Sequence, residues 1–132
     1  MNKDLFIKKV MEETNIQDKQ AAERGVQIVL SILSHRLLPE EAEDVASQLP
    51  QDLKRIWNND VWITNYYKLS NKRLNYRHKN QMITLIENEI LREQLPINAE
   101  RLATAVFHVL KEQISNGEIK DIAAQLPDEI KE

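Results

Sequence analysis

Residues Ala22 to Lys54 read AERGVQIVLSILSHRLLPEEAEDVASQLPQDLK, and residues Ala99 to Lys131 read AERLATAVFHVLKEQISNGEIKDIAAQLPDEIK. The two passages align without a gap at a constant offset of 77 residues, with 12 of 33 positions identical. A match of that length predicts one helical unit built twice, with the apolar faces of the two copies buried against each other. In the first passage Ala22, Val26, Val29, Leu30, Leu33 and Leu37 recur at steps of three and four. That spacing places them on one stripe of an α-helix. The second passage keeps the stripe as Ala103, Val106, Phe107, Leu110 and Ile114. Asp18 and Asn98 stand where the N-caps of these helices are needed, since their side chains accept from free N–H groups of the first turn.

Each stripe is followed by a break whose chemistry differs between the passages. Ser115-Asn116-Gly117-Glu118 reads as a capping box, the Ser oxygen accepting from the Glu118 N–H while the carboxylate reaches back. Leu38-Pro39-Glu40-Glu41 puts Pro at the first helical position and Glu41 where Glu118 sits. The short helix predicted next carries Ala42, Val45, Ala46 and Leu49, or Ile119, Ile122, Ala123 and Leu126. Each ends in Gln-Leu-Pro (Gln48 to Pro50, Gln125 to Pro127), because Pro restricts the residue before it and has no N–H to donate. Pro50 and Pro127 then open a further short helix, Gln51 to Trp57 and from Asp128 onward. Upstream, Asp4 to Glu13 (Leu5, Phe6, Val10) and Gln81 to Gln94 (Met82, Ile83, Ile86, Ile90) read as two more amphipathic helices, matched to each other only after a shift of a residue or so. The expectation is an all-α fold of two tandem, roughly four-helix units packed into one compact helical domain. Residues 1–57 form the first unit, 58–80 a basic and aromatic connector, and 81–132 the second.

Bulk composition agrees with that reading. A chain of 132 residues with 42% hydrophobic and 30% charged side chains is long enough and apolar enough to fold alone. Two Gly and four Pro leave little material for the many turns of an all-β fold. The lack of cysteine excludes disulfides, thiolate metal ligands and a Cys nucleophile. Charges interrupt MNKDLFIKKVMEE every few residues, and no stretch nears the roughly 18 apolar residues of a membrane span. The chain reads as soluble and cytoplasmic, with no membrane partner.

The run of a first helix with Phe and Val, then A-E-R with a V-x-x-x-L stripe, then E-x-x-D-x-A-x-Q-L-P, resembles domain-of-unknown-function family 2267. The residues that carry the resemblance are Glu41, Asp44, Ala46, Gln48, Leu49 and Pro50, with Glu118, Asp121, Ala123, Gln125, Leu126 and Pro127. It covers nearly the whole chain and implies a duplicated all-helical fold in a bacterial cytoplasmic setting. It implies no activity, and so transfers no catalytic or binding residue.

Four sets of residues invite a chemical reading. Glu41 with Asp44, and Glu118 with Asp121, each share a helical face, so two such faces meeting can hold a hard cation as in a metal-dependent hydrolase. Acids in a first turn are also favoured by the helix dipole by roughly 0.3–1 kcal/mol each, and capping is the preferred reading. His35, His78 and His108 share no metal-ligand spacing and read as solvent-facing. The stretch Tyr66 to Lys79 holds Lys68, Lys72, Arg73, Arg77 and Lys79 with Tyr66, Tyr67 and Tyr76 and no acid. It carries +5, so the rest of a chain of net charge −3 carries −8. Such a segment can contact phosphates and stack bases, or serve as a solvated connector paired with the acidic helices. Trp57 and Trp62 flank Asn58-Asn59-Asp60 and are candidates for a partner hot spot, with a packing plug between units preferred. Gly25 inside a helix costs about 1 kcal/mol relative to Ala. Its counterpart is Leu102, which fits either a close helix approach or drift between the copies.

No Gly-rich phosphate loop, G-x-S-x-G or nucleophile and base set is present, so the expectation is a non-enzyme with no catalytic residue, no metal and no cofactor. A protein-interaction or adaptor role ranks first. Nucleic-acid binding through 66–79 ranks second, and the hydrolase last.

Overall fold

A computed structural model describes residues 2–58 and 80–124, and among them seven helices and no strand. α1 is Lys3–Thr14, α2 Lys19–Arg36, α3 Pro39–Ser47, α4 Gln51–Asn58, α5 Asn80–Glu93, α6 Ala99–Gln113 and α7 Asn116–Ala123. The all-α expectation holds for the described residues. The last helix expected of the second passage and the connector lie outside them, apart from the connector's ends.

α2 and α6 are long helices, each followed by a short one, α3 and α7, and α4, which packs on α2 and α3, has no counterpart among the described residues. α1 packs on α2 as α5 packs on α6, and α1 packs on α6 as α5 packs on α2. α2 meets α6 and α3 meets α7, each helix facing its own counterpart. At Gly25 on α2, a Cβ would lie 3.0 and 3.2 Å from the two δ-carbons of Leu102 on α6, its own partner in the alignment. The glycine therefore serves close helix approach, which the mid-helix cost had left open against drift.

The six stripe residues from Ala22 to Leu37 are buried, as are the five from Ala103 to Ile114, the last of each being the C-cap of α2 and of α6. The stripe nonetheless understates these helices. Ile28 and Ile32 on the other side of α2, and Leu102, Ala105 and Val109 of α6, are buried too. α2 is touched by α1, α3, α4, α5 and α6, so it runs through the centre and needs apolar side chains around most of its circumference. In α1 Phe6 and Val10 are buried as expected and Ile7 joins them, while Leu5 is 42% exposed. Phe6, Val10 and Thr14 define a stripe at steps of four, which Leu5 misses by about 100° of helical rotation. In α5 Met82, Ile86 and Ile90 face inward, Ile83 packs at the edge, and Leu91 is 75% exposed.

Local chemistry explains the ends. Asp18 Oδ1 accepts from the N–H groups of Gln20 at 2.9 Å and Ala21 at 3.4 Å, and Asn98 Oδ1 from Arg101 at 3.0 Å, as the sequence indicated. Glu41 accepts from the Leu38 N–H at 3.0 Å, so Pro39 and Glu41 together start α3. At α7 the expected capping box is not formed. Ser115 Oγ meets the Glu118 carboxylate instead of the Glu118 N–H, and the Ser115 N–H donates to Gln48 Oε1 at 2.6 Å. The contact between α3 and α7 supplies an acceptor from the far end of α3, which a reading of local sequence has no means to include.

α1 and α5 share a C-terminal device that the sequence conceals. Asn15 (φ 63°) and Gln94 (φ 56°) are both left-handed, with Ile16 donating to the Met11 carbonyl at 3.1 Å and Leu95 to the Ile90 carbonyl at 3.0 Å. These are the long-range bonds of a Schellman turn, usually closed by Gly. Their offset is 79 residues, not 77, which accounts for the shift needed to match the upstream helices.

Candidate functional site

Polar side chains group in three places. The first joins α2 to α5. Arg24 grips the Glu93 carboxylate with two bonds, Nε to Oε1 at 2.8 Å and Nη2 to Oε2 at 2.7 Å, and its Nη1 donates to Gln27 at 2.8 Å. A planar guanidinium meeting a carboxylate in this fork is the strongest ion-pair geometry that side chains offer. One turn earlier on α5, Glu89 is only 5% exposed, and its Oε2 has no hydrogen-bond partner. The Arg92 guanidinium stands 3.8 Å away. Burial pushes the Glu89 carboxyl above its ordinary range, Arg92 opposes that, Glu93 adds to it and Arg24 opposes it. At the 79-residue offset Glu89 takes the place of Val10, a core position of α1. Its protonation is therefore tied to α5 packing.

The second group joins α1 to α6. Lys9 Nζ donates to Glu112 at 2.7 Å, and His108 Nδ1 contacts Glu13. Glu13 also lines, with Asn98, Glu100, Arg101 and Thr104, an open cleft of about 420 Å³ beside the start of α6. Every lining residue is polar. Two carboxylates, one guanidinium and the Thr104 hydroxyl face this open cleft, which encloses too little for a small ligand to be buried.

The third group is the α3 to α7 seam. Gln48 makes three bonds across it: Oε1 accepts from Ser115 N–H, Nε2 donates to Ser115 Oγ at 3.4 Å, and its own carbonyl accepts from Gln113 Nε2 at 3.0 Å. Hydrogen bonds from Ser115 and then Gln48 hold the Glu118 carboxyl below its ordinary range. The Q-L-P glutamine thus acts as a strut between the two matched passages.

Against this geometry the residues singled out from sequence fall as follows. Glu41 is a cap and Glu118 belongs to the Gln48 strut, while Asp44 is exposed and Asp121 half-buried. Among the described residues no three His, Asp or Glu side chains are grouped so as to hold a metal ion. His35 and His108 are half-buried and engaged, not simply solvent-facing: His35 Nδ1 sits 3.0 Å from the Ser31 carbonyl, and His108 meets Glu13 across α1 and α6. Trp57 is 1% exposed, and its indole N–H donates to the Ala42 carbonyl at 2.9 Å. That bond holds α4 on α3 within the first unit, so the residue is not a plug between the two units, and the enclosed ring has no surface left for a partner. Trp62, His78 and the whole of Tyr66, Tyr67, Lys68, Lys72, Arg73, Tyr76, Arg77 and Lys79 lie outside the described residues, as do Gln125, Leu126 and Pro127. Sequence reading missed the Arg24–Glu93 fork and Glu89. The one local signal was a glutamate on the inward stripe of α5, three residues after Ile86.

Fold and polar groups together define an all-helical protein whose internal ion pairs bridge two sequence-matched helical sets. Residues 3–132 match the family described as Uncharacterized conserved protein (DUF2267), and the chain belongs to that family. Comparison with curated proteins gives no match. Among the described residues no helix is long and apolar enough to cross a membrane.

Proposed function

We propose that this chain is a non-enzymatic interaction module of the cytoplasm whose partner is a protein. The observation that carries the reading is where its polar chemistry goes. Arg24, Glu93, Lys9, Glu112, Glu41, Gln48 and Ser115 each bond another part of the same chain, as caps or as links between helices. Side chains used in that way hold a scaffold in shape, and a scaffold of that kind acts through its surface. Cross-linking followed by affinity capture from the native cell tests this. Recovery of the same protein in independent captures, lost on competition with unlabelled chain, is the expected result. A turnover-competent small substrate, with no protein recovered, would end the reading.

A second reading rests on the separation of charge. The stretch Tyr66 to Lys79 carries +5 beside three tyrosines, in a chain whose remainder carries −8. Counterion release makes phosphate binding fall steeply with salt. Titration of single- and double-stranded DNA and RNA over a salt series therefore separates the two. Binding at low salt that weakens steeply supports the basic segment, and no binding at the lowest salt removes it.

A further inference from the structure

Asn116-Gly117 is the one Asn-Gly pair in the sequence. It stands at the first two positions of α7, and both residues are exposed. Asn-Gly is the dipeptide in which an asparagine side chain is most readily attacked by the following backbone nitrogen, because glycine has no Cβ to obstruct the approach. Inside a helix that attack is suppressed, since the amide N–H is bonded to a carbonyl one turn back. At the second helical position no such carbonyl exists. The first bond of the α7 ladder is Ile119 N–H to the Ser115 carbonyl at 3.0 Å, and the Ser115 side chain accepts no N–H of the first turn. A Cβ placed at Gly117 would meet nothing closer than Ser115 Oγ at 4.0 Å, so the space needed for ring closure is open.

We infer that Asn116 is a site of spontaneous deamidation, and that conversion to isoaspartate loosens the α3 to α7 seam. The Gly117 nitrogen bonds to the Asn116 side-chain carbonyl carbon, the carbon to amide-nitrogen bond breaks, and ammonia leaves with the proton lost by Gly117. One water then opens the five-membered imide at either carbonyl, giving aspartate or isoaspartate at 116. The two products act oppositely. Aspartate places a carboxylate in the first turn, where the helix dipole favours it. Isoaspartate adds a methylene to the main chain one residue from Ser115, whose N–H is held at 2.6 Å by Gln48. The strut cannot keep its geometry when the backbone beside it lengthens. The first passage contains its own control, because Pro39-Glu40 occupies the matching positions and has no asparagine to react.

The experiment ages the full chain in mildly alkaline buffer beside a linear peptide of residues 114–120. It follows intact mass, ammonia release and isoaspartyl methyl-transfer mapped by proteolysis. Conversion at Asn116 on the time scale of the peptide, and several-fold slower in Gly117→Ala, is expected. A chain that stays unmodified while the peptide converts, or that reacts first at another asparagine, overturns the assignment. The separated isoaspartate fraction should show faster amide exchange in α7 than Asn116→Asp, which carries the same charge without the extra methylene. Equal exchange in the two would overturn the effect on the seam.

Discussion

Replacing Gly25 by alanine sets two physical effects of opposite sign against each other, and the structure decides between them. Helix propensity alone favours the substitution by roughly 0.8–1 kcal/mol, because glycine in a helix interior loses more backbone freedom on folding than alanine. The new Cβ, however, lies 3.0 Å from Leu102 Cδ2 and 3.2 Å from both Leu102 Cδ1 and Ile97 Cδ1. Carbon atoms prefer separations of about 3.5–4.0 Å. Leu102 is fully buried between α2 and α6, so it has little free space to move into. Inserting a carbon into such packing costs about 1–3 kcal/mol. Gly25→Ala alone is therefore expected to be neutral or to destabilise by up to about 2 kcal/mol once the propensity gain is subtracted. Leu102→Ala alone should cost about 2–5 kcal/mol. With Leu102 shortened only the Ile97 Cδ1 contact remains, so Gly25→Ala should then stabilise by up to about 1 kcal/mol, and the two changes couple by about 0.5–3 kcal/mol. Urea unfolding followed by circular dichroism on the four proteins measures the cycle. Additivity within about 0.5 kcal/mol, or a full propensity gain from Gly25→Ala alone, would show that the two helices do not meet at this pair.

Three further outcomes follow from local chemistry. Gln94→Gly removes the strain of a left-handed non-glycine residue and should stabilise the protein by about 0.5–1 kcal/mol, read as a higher urea midpoint. Gln48→Ala takes away the acceptor of the Ser115 N–H and should cost about 1–2 kcal/mol, with amide exchange accelerating in α7 before α1, a pattern that uniform acceleration would contradict. Glu89 provides the pH dependence. Its folded carboxyl is raised by burial, so the native state binds the proton more tightly than the unfolded chain does. That contribution is complete below the ordinary glutamate range and is lost as pH rises through the raised value. Glu89→Gln should therefore stabilise the protein at neutral pH, with a benefit that vanishes in acid, and equal shifts at both pH values would place the carboxylate in solvent. Glu118 runs the other way. Its lowered carboxyl favours the fold above the ordinary range, and this is lost as pH falls through the depressed value.

The matched passages, read as sequence, contain the class of the fold, the two long helices with their Asp18 and Asn98 caps, and the proline-led start of α3. These depend on residues three or four apart, whose chemistry is fixed by helix geometry whatever surrounds them. Tertiary structure alone decided the rest. It buried α2 and α6 beyond their stripes, because a central helix is enclosed by neighbours that no periodicity names. It gave Ser115 an acceptor 67 residues away in Gln48, in place of the local capping box. It turned Trp57 inward and joined Arg24 to Glu93, pairs set by how helices cross. Gly25 belongs to both: its cost was visible in the sequence, and its reason is the Leu102 side chain of α6 lying against it.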